Sequence, residues 1–196
     1  MRKYNLVSVY TKRKFRAQKS SVNNANIENV LERKFKDKRE LEVLVSDLTY
    51  VDVLGNWNYV CLVLDLFNRE IIGHAVGEHK SAELVQEALS KIPYDCSKIQ
   101  MFHTDRGKEF DNTKIEEFLS AFNIQRSLSH KGTPHDNAVA ESTYKAFKAE
   151  FVYQEHFETL EELKTKTFDF VHWWNNTRLH STLNYKTPAQ LRAQHV

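Results

Sequence analysis

The feature that most restricts the fold is the order in which strand-like and helix-like segments follow one another. Two β-rich runs, 41–54 and 57–67, are separated by the turn signal Gly55-Asn56, which predicts a hairpin. A third run, 70–76, follows after a short connection at Asn68-Arg69. Because consecutive strands joined by short connections usually pair, we expect three antiparallel strands in succession.

Helices and strands alternate in the rest of the chain. Apolar spacing and cap residues predict strands over 99–104 and 124–128, and helices after Ser81, over 113–122, along the row Ala140, Tyr144, Phe147 and Phe151, and over 159–176, ahead of a loop-rich tail. The order βββαβαβα is that of the RNase H-like fold. We therefore predict an α/β protein with a mixed five-stranded sheet and helices on both faces.

Charge divides the chain into a basic arm and an acidic body. Residues 1–40 hold 12 basic and 4 acidic side chains, and residues 41–196 hold 16 and 22, so the net charge of +2 hides segments of +8 and −6. The segment 26–35 has the apolar spacing of a short helix. An aromatic residue, Phe15, lies among cations that suit phosphate contacts, although a solvated basic tail is the alternative: Lys12, Arg13, Lys14, Arg16 and Lys19.

Composition excludes several classes of protein. The longest apolar stretch, 59–67, contains Asp65 and is too short for a membrane span. The first 20 residues are basic and lack the apolar centre of a secretory signal, so we expect a cytoplasmic, nucleoid-associated protein. Cys61 and Cys96 lie 35 residues apart, which indicates neither a disulfide framework nor a zinc finger.

Three acidic residues are candidates for a metal site. Asp47 lies inside an apolar strand, where a carboxylate needs a partner or a cation, and Asp105 ends a strand, where α/β sheets bind ligands. Glu141 lies on the helix that follows a polar loop, and we expect the fold to bring the three together. Carboxylates without Cys or His at ligand spacing favour Mg²⁺ or Mn²⁺, and two such ions support phosphoryl transfer. Asp65 is interpreted as a structural acid at a strand end.

Motifs around these acids carry a family resemblance from about residue 41 to 192. They include Ser46-Asp47-Leu48-Thr49-Tyr50-Val51, His103-Thr104-Asp105-Arg106-Gly107-Lys108-Glu109-Phe110, Pro134-His135-Asp136-Asn137-Ala138-Val139-Ala140-Glu141-Ser142 and Trp174-Asn175-Asn176-Thr177-Arg178. Through these motifs the chain resembles the integrase-type catalytic domain of bacterial insertion-sequence transposases of the IS-three type, which are related to retroviral integrases.

The resemblance implies a site and an activity. Asp47, Asp105 and Glu141 would be the catalytic, metal-binding DDE triad, with 35 residues between the last two. The implied reaction is Mg²⁺-dependent hydrolysis of a phosphodiester at an element end, followed by DNA strand transfer. Two Mg²⁺ ions are implied, with Mn²⁺ able to substitute. The implied partners are element ends, target DNA and further copies of the chain, as a homodimer or higher multimer.

Further residues are predicted to contact DNA. Retroviral integrases carry lysines four and seven residues after their catalytic Glu, and these offsets correspond to Lys145 and Lys148, although lysines that merely solvate a helix are the alternative. Asn137 is either a loop-end residue or a DNA contact. His103 either polarises water, contacts a phosphate or packs in the core.

The resemblance also bears on domain organisation. Members of the family carry helix-turn-helix segments upstream, so we expect a fragment or truncated copy, with an arm or linker over 1–40 and the catalytic domain over 41–196. Two other functions stay open. One is a non-catalytic DNA-binding remnant, and the other is an RNase H-fold nuclease that cuts without joining.

Overall fold

The computed structural model describes residues 27–195, which are built around one sheet. Its five strands are β1 (Val43–Val53), β2 (Asn56–Asp65), β3 (Ile71–Gly77), β4 (Met101–Thr104) and β5 (Gln125–Leu128). They lie in the order β3-β2-β1-β4-β5. The first three pair antiparallel, whereas β4 pairs parallel with both β1 and β5. The predicted mixed sheet is confirmed.

The turn between β1 and β2 lies one residue earlier than its sequence signal predicts. Val53 pairs with Asn56, which leaves Leu54 and Gly55 as the loop. Both loop residues have positive φ, 47° and 84°, as in a type I′ turn. A type I′ turn matches the right-handed twist of the two strands that it joins. Leu54 adopts this conformation although leucine has no intrinsic preference for positive φ.

In the described part of the chain, five α-helices surround the sheet: α1 (Ala82–Ser90), α2 (Thr113–Ala121), α3 (Ala138–Glu150), α4 (Leu160–Asn176) and α5 (Pro188–Ala193). The predicted N-caps Ser81 and Thr159 accept hydrogen bonds from backbone N–H groups of α1 and α4. Helix α5 lies in the tail that the sequence suggests to be loop-rich, and a capping box of Thr187 and Gln190 begins it. Across the described part of the chain, no helix combines the length and apolarity needed to cross a membrane.

The core consists of two apolar clusters, one on each face of the sheet. Alternation along β1 sends Val43 and Val45 to one cluster and Leu44 to the other. The first cluster contains side chains of α3 and α4, including Phe147, and the second contains side chains of α1 and α2, including Val85. Helices therefore cover both faces, as predicted, and the helical row along α3 is buried.

Residues 27–40, the described part of the predicted arm, contact the body. Leu31 is 1% exposed, and the backbone N–H groups of Val30 and Leu31 donate to Ser127 Oγ of β5 at 3.0 and 3.3 Å. Glu32 and Arg33 have φ of 46° and 60°, so the described part of the segment 26–35 forms no helix. The expected short helix is therefore wrong for these residues. The backbone N–H groups of Val30 and Leu31 bond to β5 and not to carbonyl groups of a helical turn. The domain division at residue 40 stays a prediction.

Candidate active site

Strand register places Asp47 and Asp105 next to each other. Ser46 of β1 pairs with Thr104 of β4, and the two strands run parallel. The residues that follow this pair, Asp47 and Asp105, are therefore neighbours. Asp105 follows the last residue of β4 at the carboxyl end of that strand, and its Oδ1 accepts the N–H of Gly107 at 2.9 Å. The adjacency of two strands separated by some fifty residues of sequence is thus what assembles the first two acids.

The carboxyl group of Asp47 is strongly perturbed by its surroundings. Its Oδ1 accepts the N–H of Leu48 at 2.7 Å. Burial raises the pKa of Asp47, the negative charge of Asp105 raises it further, and the Leu48 hydrogen bond opposes both. A carboxylate in this setting is stabilised by a cation.

Glu141 reaches the same place from helix α3. The Nδ2 of Asn137, four residues earlier, donates to the backbone carbonyl of Ser46 at 3.1 Å. The hydroxyl of Tyr144, three residues later, donates to the carbonyl of Asp47. These two hydrogen bonds fix the first turn of α3 over β1, with Glu141 between them. Partial burial raises the pKa of Glu141, His135 opposes this, and Asp105 adds to it.

The three acids line one cavity of about 260 Å³. Its other walls come from Arg106, from Asn137 and from the loop residues Ser129, His130, Lys131, Gly132 and Thr133. Among residues 27–195, no three His, Cys, Asp or Glu side chains already converge as a ligand set around one metal position. The donor set nevertheless fits a hard divalent cation, because every acidic ligand offers oxygen and the Asp47 carboxylate is costly to ionise without one.

An ion pair between a partly exposed lysine and a buried glutamate, close to Asp105, is absent from the sequence predictions. Lys80, in the loop before α1, lies with its Nζ 2.9 Å from Glu109 Oε1, and the Glu109 side chain is 4% exposed. Burial lowers the pKa of Lys80, but the hydrogen bond and charge of Glu109 outweigh it and leave the pKa raised. Burial also raises the pKa of Glu109, against the effect of Lys80. The motif 103–110 contains Glu109, but nothing in the sequence links it to Lys80.

Gly107 is required by the same ion pair. A Cβ on this residue would lie 2.2 Å from Glu109 Oε1 and 2.5 Å from Glu109 Cδ. The carboxylate of Glu109 therefore packs directly against the Gly107 backbone, whose N–H holds Asp105. A side chain at this position would displace either the ion pair or the loop that carries Asp105.

The structure contradicts the predicted DNA contact of His103 and gives Asn137 a structural role. His103 has no exposed surface, and its ring nitrogens lie 2.8 Å from Ser127 Oγ and 3.1 Å from Ser129 Oγ. Burial lowers its pKa to about 4, so the ring is neutral and belongs to the core. Asn137 is 3% exposed, and its Nδ2 ties α3 to β1, which is the loop-end role that the sequence left open. The sequence around His103 does not reveal that serines of β5 and of the following loop cover its ring.

The remaining candidates have three different settings. Lys145 is exposed on α3, one turn after Glu141. Lys148 is partly buried, with its Nζ 4.9 Å from the centre of the Tyr50 ring, and burial lowers its pKa while Asp47 opposes this. The arm cations lie outside the described residues: Lys12, Arg13, Lys14 and Arg16.

Asp65 has the structural role that the sequence suggests. It is fully buried, it accepts the N–H groups of Leu41 and Phe67 at 3.0 Å each, and it contacts Arg192 at 3.2 Å. Burial raises its pKa to about 6, which these partners oppose. None of these three partners lines the cavity.

The sheet order and the helices on both faces define an RNase H-like fold of the kind found in retroviral integrase catalytic cores. The magnesium complex of the HTLV-2 integrase catalytic core domain superposes with a TM-score of 0.60 at 16% identity, covering 76% of this chain and 95% of that one. A simian T-cell lymphotropic virus intasome, in complex with PP2A regulatory subunit B56 gamma, gives 0.65 at 13% identity, over 89% and 60%. At these identities the likeness concerns the fold.

Sequence comparison identifies the family. Two models described as integrase core domain match residues 37–134 and 141–196, and the chain belongs to this integrase core domain family. The transposase for insertion sequence element IS904 of Lactococcus lactis is 31% identical over 166 residues, 82% of this chain and 64% of that protein. The putative transposase InsK of element IS150 of Escherichia coli is 31% identical over 168 residues, 85% and 59%. The chain thus spans about three fifths of the length of these relatives.

Proposed function

We propose that the chain is the catalytic part of an insertion-sequence transposase that cuts a phosphodiester at an element end and joins the freed 3′-hydroxyl to target DNA. The observation that supports this most directly is the convergence of Asp47, Asp105 and Glu141 on one cavity. Membership of the integrase core domain family points to the same reaction. Bacterial nucleoid DNA, in the cytoplasm, is the proposed substrate.

The three carboxylates would hold Mg²⁺, as two ions for which Mn²⁺ can substitute. When bound, such ions activate the attacking oxygen and stabilise the leaving oxygen of an in-line displacement. The protein contributes the placement of its acids: the Gly107 N–H fixes Asp105, and the hydrogen bonds of Asn137 and Tyr144 fix α3. A prearranged site of this kind avoids reorganisation during the reaction.

DNA would approach along the exposed side of α3 and along the arm. Lys145 lies one turn beyond Glu141, and Lys148 follows it, so phosphates on either side of the scissile bond could meet both cations. The cations of residues 1–40, with a net charge of +8, would hold the flanking duplex without reading its sequence. We propose a dimer or higher multimer, in which two copies act on the two ends of one element.

The test uses a fluorescent duplex copied from the DNA that flanks the reading frame of the chain, with a supercoiled plasmid as target and Mg²⁺ as cofactor. We expect a shortened 3′ end and a plasmid-joined product. Glu141→Gln should reduce both by about 1,000-fold or more, because it removes a ligand that acts throughout the reaction. Glu117→Gln on α2, which changes an exposed acid that does not line the cavity, is the matched control.

The outcomes separate the alternative functions. Cleavage without a joined product would indicate the nuclease. Salt-sensitive DNA binding without Mg²⁺-dependent cleavage, together with no Mg²⁺-induced rise in melting temperature, would indicate the non-catalytic remnant. Cleavage that survives in Glu141→Gln would contradict the assignment of the triad.

A further inference from the structure

The loop between β5 and α3 forms one wall of the catalytic cavity. Residues 129–133 and Asn137 all line it. The loop has little regular structure, since only Pro134–Asn137 forms a short 3₁₀ turn before α3 begins. Backbone hydrogen bonds within it are few: Thr133 N–H donates to His130 O, and Asp136 N–H donates to Thr133 O, both at 3.1 Å. Its shape therefore depends on side chains.

Asp136 is the centre of that side-chain network. Its side chain is 1% exposed. One carboxylate oxygen accepts the backbone N–H of His130 at 2.9 Å and lies 2.8 Å from His130 Nδ1. The other accepts the Nε of Arg33 at 2.6 Å. Of these three contacts, only the one with Arg33 comes from outside the loop.

Arg33 belongs to a segment that is itself held against the body. The carbonyl of Glu28 accepts the N–H of Leu128 at 3.2 Å, and the carbonyl of Ile27 accepts a hydrogen bond from Arg106 at 2.9 Å. Ser127 Oγ accepts two N–H groups from the same segment. The backbone of Arg33 has a φ of 60°, a conformation that persists in a non-glycine residue only when its surroundings impose it.

We propose that Arg33 is a positioning residue, which acts through Asp136 to hold the loop 130–137 in the shape that the catalytic cavity requires. Asp136 is followed by Asn137, whose amide ties the start of α3 to Ser46, the residue before Asp47. A loop released at Asp136 would loosen that tie and change the placement of Glu141 against Asp47. The segment before β1 thereby takes part in forming the site.

The physical basis is the unequal exposure of the two partners. The Arg33 side chain is 54% exposed, whereas Asp136 is buried. Removing the guanidinium leaves a buried carboxylate with one charged partner fewer, which weakens the loop locally. Because Arg33 itself covers little of the core, the rest of the fold should keep its stability.

Hydrogen exchange measured by mass spectrometry on the full chain tests the contact without any assay of activity. In Arg33→Ala, we expect the amides of 130–137, and that of His130 above all, to exchange about tenfold faster, with a melting temperature within about 3 °C of the wild type. Arg33→Gly should show the same faster exchange, although glycine removes the backbone strain of the positive φ at this position. Arg39→Ala is the control, since it removes an exposed arginine of the same segment whose partner is Glu42.

The catalytic consequence rests on the proposed function and is measured separately, with the flanking duplex as substrate. We expect Arg33→Ala to lower kcat about five- to tenfold and to leave KM for DNA within about twofold. The reason is that the loop sets the positions of the three acids, whereas the contacts that bind the duplex lie elsewhere. Unchanged exchange over 130–137 in Arg33→Ala, or wild-type exchange in Arg33→Gly, would overturn the role of the guanidinium. Faster exchange with unchanged kcat would overturn the positioning role. Inactivity of the wild type would instead overturn the proposed function.

Discussion

The hydroxyl of Tyr144 donates a hydrogen bond to the backbone carbonyl of Asp47. The same oxygen accepts the N–H of Leu62 at 2.7 Å, and Asp47 and Leu62 are directly paired residues of β1 and β2. One phenol thus serves two backbone groups at the strand pair that carries the first acid. Since Tyr144 lies three residues after Glu141, it sets the distance between the helix and the strand that hold two of the three acids.

Tyr144→Phe should therefore destabilise the fold and the site together. The substitution keeps the ring but leaves a buried donor and a buried acceptor without this partner, at a cost of about 1 to 3 kcal/mol in the free energy of unfolding. Urea denaturation measures this loss. Tyr59→Phe on β2 is the control, because the Tyr59 hydroxyl has no hydrogen-bond partner among residues 27–195, and it should change stability by less than about 0.5 kcal/mol. Equal effects of the two substitutions would contradict the bridging role of Tyr144.

Asp47→Asn should stabilise the protein in the absence of divalent cations. The folded state raises the pKa of Asp47, so it binds that proton more tightly than the unfolded chain and becomes less stable as pH rises and the group ionises. A neutral amide removes this cost. We expect the free energy of unfolding at pH 8 in EDTA to increase by about 1 to 3 kcal/mol, while strand transfer is lost.

In Mg²⁺ the wild type should instead be more stable than Asp47→Asn. A cation that binds only the folded protein raises the melting temperature of the wild type, and Asp47→Asn should lose most of this rise because it lacks one ligand. Scanning fluorimetry in EDTA and in Mg²⁺ measures both effects, and Asp169→Asn, an exposed substitution on α4, should show neither. An Asp47→Asn protein less stable than the wild type in EDTA would refute the argument.

The sequence predicts that the three acids come together because their meeting at one cavity depends on strand order. Once β4 is placed parallel to the first half of β1, Asp47 in the middle of β1 lies next to Asp105 at the end of β4. Hydrophobic periodicity alone orients α3. The same periodicity puts Tyr144 in the buried row of that helix. Periodicity cannot show that the Tyr144 hydroxyl reaches the β1–β2 pair. The spacing of apolar residues predicts which face of a helix is buried, but not which atoms the side chains on that face contact.

The sequence does not predict side-chain contacts between segments that are far apart along the chain. Arg192 on α5 contacts Asp65 and Glu70, and Lys80 contacts Glu109, across separations that no local pattern links. His103 fails as a predicted DNA contact for a related reason, because Ser127 of β5 and Ser129 of the following loop cover its ring. Local patterns give elements and faces, whereas these side chains are placed by tertiary packing.

The Lys80–Glu109 ion pair should show strong coupling in a double-mutant cycle. Lys80→Met leaves the buried Glu109 carboxylate unpaired next to Asp105 and should cost about 1 to 3 kcal/mol, reduced from the value for a fully buried pair because Lys80 is partly exposed. Glu109→Gln removes that unpaired charge, so the double variant should recover at least half of the loss. Urea denaturation of the four proteins measures the coupling energy, and additive single effects would show that the pair contributes nothing as a pair.

His180 should make the stability of the fold depend on pH. It is 6% exposed, and its ring packs edge-on against Trp174 with centres 4.6 Å apart. Burial, with the positive charge of Arg178 as a second cause, lowers its pKa to about 4, below the value of about 6.5 in an unfolded chain. Between these values the unfolded chain binds more protons than the folded one, so stability is complete above about pH 6.5 and is lost as pH falls toward 4.

Comparison of His180→Gln with the wild type isolates this effect from the other titrating groups. The free energy of unfolding of the wild type should fall between pH 7.5 and pH 5 by about 1 kcal/mol more than that of His180→Gln, after allowance for screening by solvent. Chemical denaturation at the two pH values measures the difference. His172→Gln, which removes an exposed histidine of α4, should leave the wild-type dependence intact. If His180→Gln and the wild type lost equal stability on acidification, His180 would not be held neutral by the fold.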